Sequence, residues 1–244
     1  MNLHEIDNMV KGILFDYGGT IDTNGLHWGG VLWDHYQKYN IGIPKEAFSM
    51  AYSFGERSLA INPLVKPEHT FYDVLGLKIE QQFKCLADNG FDLDQALIES
   101  IATDCDQFAR SIVNNAKSVL QLLAQDYPLV MVSNFYGNLD TVLNDFGIRH
   151  FFDKVVESAV VGVRKPNPEI YQMGVVCLGI PAAQCVVVGD SYSKDIQPGK
   201  AVGCKTIWLN VKGWEDSTET WEHSDADLEI SDFGQLNAGK ISLM

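Results

Sequence analysis

Basic side chains are scarce in this chain: 18 Lys and Arg stand against 32 Asp and Glu in 244 residues, a formal net charge of −14. Binding to a phosphate backbone rests on Lys and Arg neutralising phosphates, so nucleic acid and anionic membrane are poor partners. Long apolar runs are missing too. Stretches such as Pro128-Leu-Val-Met-Val132 and Val186-Val-Val188 fall far short of the roughly 20 residues of a membrane span. The segment from Met1 to Val10 lacks the basic start, apolar stretch and cleavage site of a secretory signal. The cysteines Cys85, Cys105, Cys177, Cys185 and Cys204 are scattered and odd in number, which reads as reduced core residues rather than a disulfide framework, and a reducing cytoplasm fits best. What the chain does have is 46% apolar and 11% aromatic residues, enough for a sizeable core and incompatible with a disordered or collagen-like chain. Its length suits one large domain or two modest ones.

Hydrophobic patterning divides the sequence. Val10-Lys-Gly-Ile-Leu-Phe15 is a buried-strand pattern that stops at Asp16 and meets Gly18-Gly19, a strand running into a tight loop. From about 27 to 112 the pattern is helical, clearest where Leu93, Leu97, Ile101, Cys105, Phe108 and Ile112 recur at steps of three or four. After 113 helices alternate with short apolar strands. A helix over 116–125 precedes the strand Leu129–Ser133, and Asn138 opens a helix that ends at Gly147. A short strand near Lys154–Val156, a helix at 168–178, the strand Cys185–Gly189, a helix to Gly203 and the strand Lys205–Leu209 follow, before a final strand and helix over 228–236. Repeated βα units with strands apolar on both sides imply a parallel sheet covered by helices, with 27–112 inserted after the first strand. There is no internal repeat and no low-complexity tract.

Ligands of an open parallel sheet bind beyond the carboxyl ends of its strands, so the residues just after the strands carry the functional signal. Three strand ends are polar: Asp16-Tyr-Gly-Gly-Thr20, Ser133-Asn134, and Asp190-Ser-Tyr-Ser-Lys-Asp195. Between the last two, Val163-Arg-Lys-Pro-Asn-Pro-Glu-Ile-Tyr171 sets Lys165 just ahead of a proline-marked helix start. Each signal alone has an ordinary explanation: Asp16 as a loop cap beside glycines, Asp195 as a helix cap, Ser133-Asn134 as a turn, Lys165 as a solvated lysine.

Taken together and in this order, the four motifs resemble the haloacid dehalogenase superfamily, whose commonest activity is phosphate-ester hydrolysis through an aspartyl-phosphate. The helical insertion resembles that family's cap, placed between the first and second motifs. The resemblance implies an α/β fold, a Rossmann-like parallel sheet with helices on both faces, made of residues 1–23 and 113–244, with an α-helical cap over 24–112. It implies Asp16 as nucleophile, a role a carboxylate can fill because it is ionised near neutral pH. Mg²⁺ would be held by Asp16 and Asp190 directly, by the Gly18 backbone carbonyl, and with Asp195 in support, since hard oxygen ligands suit this ion. Lys165 would offset the repulsion between Asp16 and a phosphate dianion. Ser133 and Asn134 would hydrogen-bond phosphoryl oxygens, and N–H groups around Gly18 and Gly19 would form an anion nest.

One position departs from the pattern. Phosphatases of the family typically carry a second Asp two residues after the nucleophile, as acid toward the leaving group and base toward water; here that residue is Gly18. Such a shuttle is worth typically about 10²–10⁴-fold. Asp22 and His27, in a stretch that forms a hairpin over the site in the family, are candidate replacements, though a turn or cap Asp and a packing histidine are the commoner explanations. Trp28, Trp33, Tyr36 and Tyr39 are candidates to line a substrate pocket or, more ordinarily, to pack the core; Trp208, Trp214 and Trp221 carry no assignment. The expected activity is Mg²⁺-dependent hydrolysis of a small soluble phosphate ester. Two alternatives stand beside it: 2-haloacid dehalogenase, whose Tyr two residues after the nucleophile is here Tyr17, one residue early, and a phosphate-binding protein with weak turnover.

Overall fold

The computed structural model describes residues 10–211 and 224–236; Trp214 and Trp221 lie outside them. Strand β1 (Gly12–Phe15) is followed by four helices, α1 (Trp28–Lys38), α2 (Lys45–Ile61), α3 (Phe71–Asp88) and α4 (Ala96–Asp126). Then come β2 (Leu129–Ser133), α5 (Leu139–Asp145), β3 (Lys154–Glu157), the single turn α6 (Ser158–Val161), α7 (Glu169–Leu178) and β4 (Cys185–Gly189). A π-helical turn over Tyr192–Ile196 leads into α8 (Gln197–Ala201), β5 (Lys205–Leu209) and β6 (Leu228–Ile230). All strand pairs are parallel, in the order β3-β2-β1-β4-β5-β6. The expected Rossmann-like core with an inserted helical cap is what the chain forms.

The strands follow from their composition. The central strands β1, β2 and β4 are buried at every residue, which a strand covered by helices on both faces requires, whereas the edge strand β3 begins with the exposed Lys154. Helix starts and stops have local causes: Thr70 and Asp73 form a reciprocal capping box at α3, and Gly179, in the left-handed region, ends α7. The final segment forms β6 and only a 3₁₀ turn over Phe233–Gln235. Four of the cysteines are buried and unpaired, as expected; Cys177 is unpaired and exposed. No helix among the described residues is long and apolar enough to cross a membrane.

The main difference from the sequence pattern is α4. The helical stretch ending near 112 and the one over 116–125 are a single helix of 31 residues, about 46 Å long. No glycine or proline separates the halves, so propagation through Asn114 and Asn115 costs only a few tenths of a kcal/mol per residue in propensity. The division of the chain at 112/113 thus falls inside α4. Its buried stripe also differs from the expected face: Ala102, Cys105, Ala109, Val113, Ala116, Leu120 and Leu123 are buried, whereas Leu97, Phe108 and Ile112 are half-buried and Leu93 precedes the helix.

The strand order reverses between β1 and β4. Residues that follow these neighbouring strands flank the crevice where ligands bind in such sheets, and Asp16 and Asp190 are those residues.

Candidate active site

Asp16 is fixed by backbone before its side chain meets anything. Its N–H donates to the Val188 carbonyl at 3.0 Å, extending the β1–β4 ladder by one bond, so the carboxylate leaves the sheet with its direction set. The turn after it brings Thr20 back over the strand end. Thr20 Oγ1 lies 3.1 Å from Asp16 Oδ2 and 2.9 Å from Asp190 Oδ1, and accepts the Asp190 N–H at 3.0 Å. This return needs Gly19: its φ is +94°, and a Cβ there would lie 2.4 Å from Asp190 Oδ2.

Lys165 reaches the same point from the loop ahead of α7. Its Nζ donates to Asp16 Oδ1 at 2.5 Å and to Asp195 Oδ1 at 2.7 Å, with all three side chains almost fully buried. Asn134 holds the lysine's backbone, accepting the Lys165 N–H at 2.9 Å and donating to the Lys165 carbonyl at 3.2 Å. Ser133 Oγ donates to Asp16 Oδ1 at 3.3 Å. Both oxygens of Asp195 are engaged: Tyr171 donates to Oδ1 at 2.7 Å and the Ser191 N–H to Oδ2 at 3.0 Å.

Charge is concentrated here. Asp16, Asp190 and Asp195 each bring a carboxylate oxygen to within 4.8 Å of the others. Burial pushes the Asp190 carboxyl well above the usual carboxylate range, and the neighbouring Asp16 and Asp195 push it further. Burial also raises Asp16, against the pull of Lys165. Burial lowers the Lys165 ammonium, but the two carboxylates outweigh it and hold the group above its ordinary value, so it stays charged. Three carboxylates facing one ammonium leave negative charge uncompensated, and an all-oxygen donor set of this kind fits a hard divalent cation.

The site residues expected from the sequence therefore converge: Asp16, Gly18, Gly19, Ser133, Asn134, Lys165, Asp190 and Asp195 all line one cavity of about 670 Å³. Asp22 and His27 line it as well, but each is already engaged. Asp22 accepts the Gly19 N–H at 2.7 Å on one oxygen and Trp28 Nε1–H at 2.9 Å on the other, and burial pushes its pKa to about 7. His27 is the N-cap of α1, its Nδ1 accepting from Gly29 N–H at 3.0 Å. Asp22→Ala strands two buried donors, a loss of about 1–3 kcal/mol each, so a fall in Tm of roughly 5–15 °C is expected in thermal denaturation. An unchanged Tm would show that the Asp22 contacts do not hold the loop to α1.

Of the aromatic candidates, Trp28 faces the cavity, whereas Tyr36 donates to Gln82 and Tyr39 to Asp104, and Trp33 packs against Phe48. Trp208 gains a role: it lines the cavity and its Nε1–H donates to the Asp190 carbonyl at 2.8 Å. Thr20 and Tyr171 lay inside the motifs without an assignment, and only their contacts identify them. Cap residues Tyr52, Glu56 and Lys78 complete the cavity wall with no motif to announce them.

Similarity to known proteins agrees with this geometry. The chain is 39% identical over 79 residues to a glyceraldehyde 3-phosphate phosphatase of Methanocaldococcus jannaschii, covering 32% of this chain and 34% of the relative. It is 31% identical over 121 residues to the pyrimidine 5′-nucleotidase YjjG of Escherichia coli, covering 49% and 52%. The matches thus span between about a third and a half of these relatives' own lengths. Among solved structures, the L-2-haloacid dehalogenase of Xanthobacter autotrophicus superposes over 93% of this chain and 96% of its own with a TM-score of 0.58 at 18% identity, a likeness of fold. The family model for haloacid dehalogenase-like hydrolases matches residues 10–203, most of the chain, and the chain belongs to that family.

Proposed function

We propose that the chain hydrolyses a small phosphate monoester through a phospho-aspartate at Asp16, with Mg²⁺ as cofactor and residues 24–112 acting as a cap over a core of 1–23 and 113–244. The observation that carries this reading is the Asp16 carboxylate held 2.5 Å from a buried Lys165 ammonium, at the floor of a cavity large enough for a small ligand.

An Asp16 oxygen attacks phosphorus while the ester P–O bond breaks, and the departing alkoxide takes a proton from a donor or water. Water then attacks phosphorus of the phospho-aspartate, releasing inorganic phosphate, losing a proton and regenerating the carboxylate. Lys165 neutralises charge as two anions approach, Asp195 and Tyr171 position Lys165, and Ser133 supplies a hydroxyl donor. Asp16, Asp190 and the Gly18 carbonyl would hold Mg²⁺, which when bound supplies positive charge to the phosphoryl oxygens.

Dehalogenation fits less well. Tyr17 is fully buried against Phe71, Phe135 and Phe146, away from the cavity lining, and the acidic cluster gives the site a use for a metal. The test is phosphate release from a panel of esters with Mg²⁺ and with EDTA, beside chloride release from 2-chloropropionate. Phosphate release that EDTA abolishes supports the reading; chloride release without metal overturns it.

Asp190→Ala should chiefly raise the Mg²⁺ requirement. Removal of groups that only support metal ligands already costs 10–100-fold in affinity, so the Mg²⁺ concentration for half-maximal rate should rise by about tenfold or more. Indifference of the rate to this substitution would remove Asp190 from the metal site.

A further inference from the structure

The floor of the cavity is built by the core loops; the cap supplies the wall beyond it, with Tyr52 and Glu56 on α2 and Phe71, Val74 and Lys78 on α3. We propose that Lys78, held by Glu56, is a specificity-determining residue that donates hydrogen bonds to a hydroxyl or carbonyl oxygen on the leaving group, making the substrates phosphate monoesters of small oxygenated alcohols. The inference rests on the phosphate-ester reading of the same site.

Packing places the pair. Gly55 lets α2 approach α3 closely: a Cβ there would stand 3.1 Å from the Lys78 carbonyl oxygen. Glu56, the next residue, then meets Lys78, with Nζ 2.5 Å from Glu56 Oε1. The other Glu56 oxygen accepts from Tyr136 OH at 2.8 Å. Both carboxylate oxygens are thereby used. The lysine is not saturated: an ammonium carries three donors, and Glu56 is its one hydrogen-bond acceptor among the described residues; the face of the Tyr136 ring lies 5.6 Å away, and Tyr52 and Asp22 are near enough to act on its charge. Lys78 is only 8% exposed and lines the cavity, so a ligand held there can reach its remaining donors.

A buried ion pair is poor evidence of stabilisation, because apolar residues of similar size often serve a fold as well or better. Its retention in the wall of a ligand cavity points to recognition. The pair is neutral overall, so it gives little net pull on a second anionic group, yet it presents directional donors to an uncharged oxygen. Trp28, Phe71 and Phe135 offer apolar surface beside it for a short carbon skeleton. A site built to hydrogen-bond an oxygen discriminates strongly against analogues that lack it, since its own polar groups are then left without partners.

The test compares glycerol 3-phosphate with propyl phosphate, esters of the same carbon count that differ in the two oxygens. The wild-type protein with Mg²⁺ should favour glycerol 3-phosphate in kcat/KM by about tenfold or more, chiefly through KM. In Lys78→Met/Glu56→Gln, which leaves no unpaired buried charge, the ratio should fall to within about threefold of unity. A merely structural role would lower both rates and keep the ratio. Binding of the two esters, followed by calorimetry on Asp16→Asn, gives the same ratio without turnover and covers a poorly folding double variant when repeated with Tyr136→Phe added, which should narrow the ratio. Equal rates of the two esters in the wild-type protein and equal binding in Asp16→Asn alone overturn the proposal, as does a double variant that keeps the preference. Discrimination in binding with no phosphate released from any ester would instead reject the hydrolytic reading while upholding the role of Lys78.

Discussion

Asp16→Asn should abolish phosphate release, by about 10³-fold or more, because an amide of nearly the same shape cannot attack phosphorus. The fold should survive. Lys165 keeps Asp195 at 2.7 Å, and the backbone bond from residue 16 to Val188 does not involve the side chain. Initial rates on a reactive ester, with mass spectrometry to exclude deamidation back to Asp and thermal denaturation to confirm folding, measure the effect. Turnover near that of the wild type would overturn the phospho-aspartate mechanism.

The second large effect is expected at Gly18. Without an acid at this position, esters with good leaving groups, such as p-nitrophenyl phosphate or acyl phosphates, should turn over faster than alkyl phosphates, glycerol 3-phosphate included, because an alkoxide needs a proton to depart and a nitrophenolate scarcely does. The same absence removes a base for the second step, so a burst of leaving group should precede a slower steady rate. Gly18→Asp should raise turnover of alkyl esters by about tenfold or more and shrink the burst. Space is available for it: a Cβ at Gly18 meets nothing within 4 Å, and the residue is exposed at the edge of the cavity. Stopped-flow traces and a plot of rate against leaving-group pKa measure both effects. A wild-type protein with no burst and no leaving-group preference would show that another residue already moves the proton.

Asp22 and His27 illustrate how far a sequence can narrow that question. Both lie in the cavity wall, as a position near Asp16 suggests. Their chemistry is set by partners that no spacing reveals: Asp22 ties Gly19 to Trp28, and His27 caps α1. Burial, which is a property of the folded chain, is what moves the Asp22 pKa to about 7.

The strands and their polar ends were legible for a direct reason. A strand covered on both faces must be apolar throughout, so Phe15, Val132 and Val188 stand out, and the first polar residues after them mark where the sheet meets solvent. Parallel pairing then sets all those ends on one side, which is why Asp16, Ser133 and Asp190 converge although they are more than a hundred residues apart or nearly sixty. The continuity of α4 was hidden, because a polar pair such as Asn114-Asn115 weakens a helix without ending it, and only packing on both halves decides the outcome. The cap side of the site was hidden more deeply. A helical repeat identifies the face that is buried but not the helix it meets, so nothing in the sequence joins Glu56 to Lys78 and Tyr136. The sequence by itself determined the sheet and the charged side chains at its strand ends, Asp16 and Asp190 among them, since those follow from local burial and strand direction; the tertiary structure alone decided which side chains of α2 and α3 face Asp16 across the cavity, since that depends on how helices distant in sequence pack.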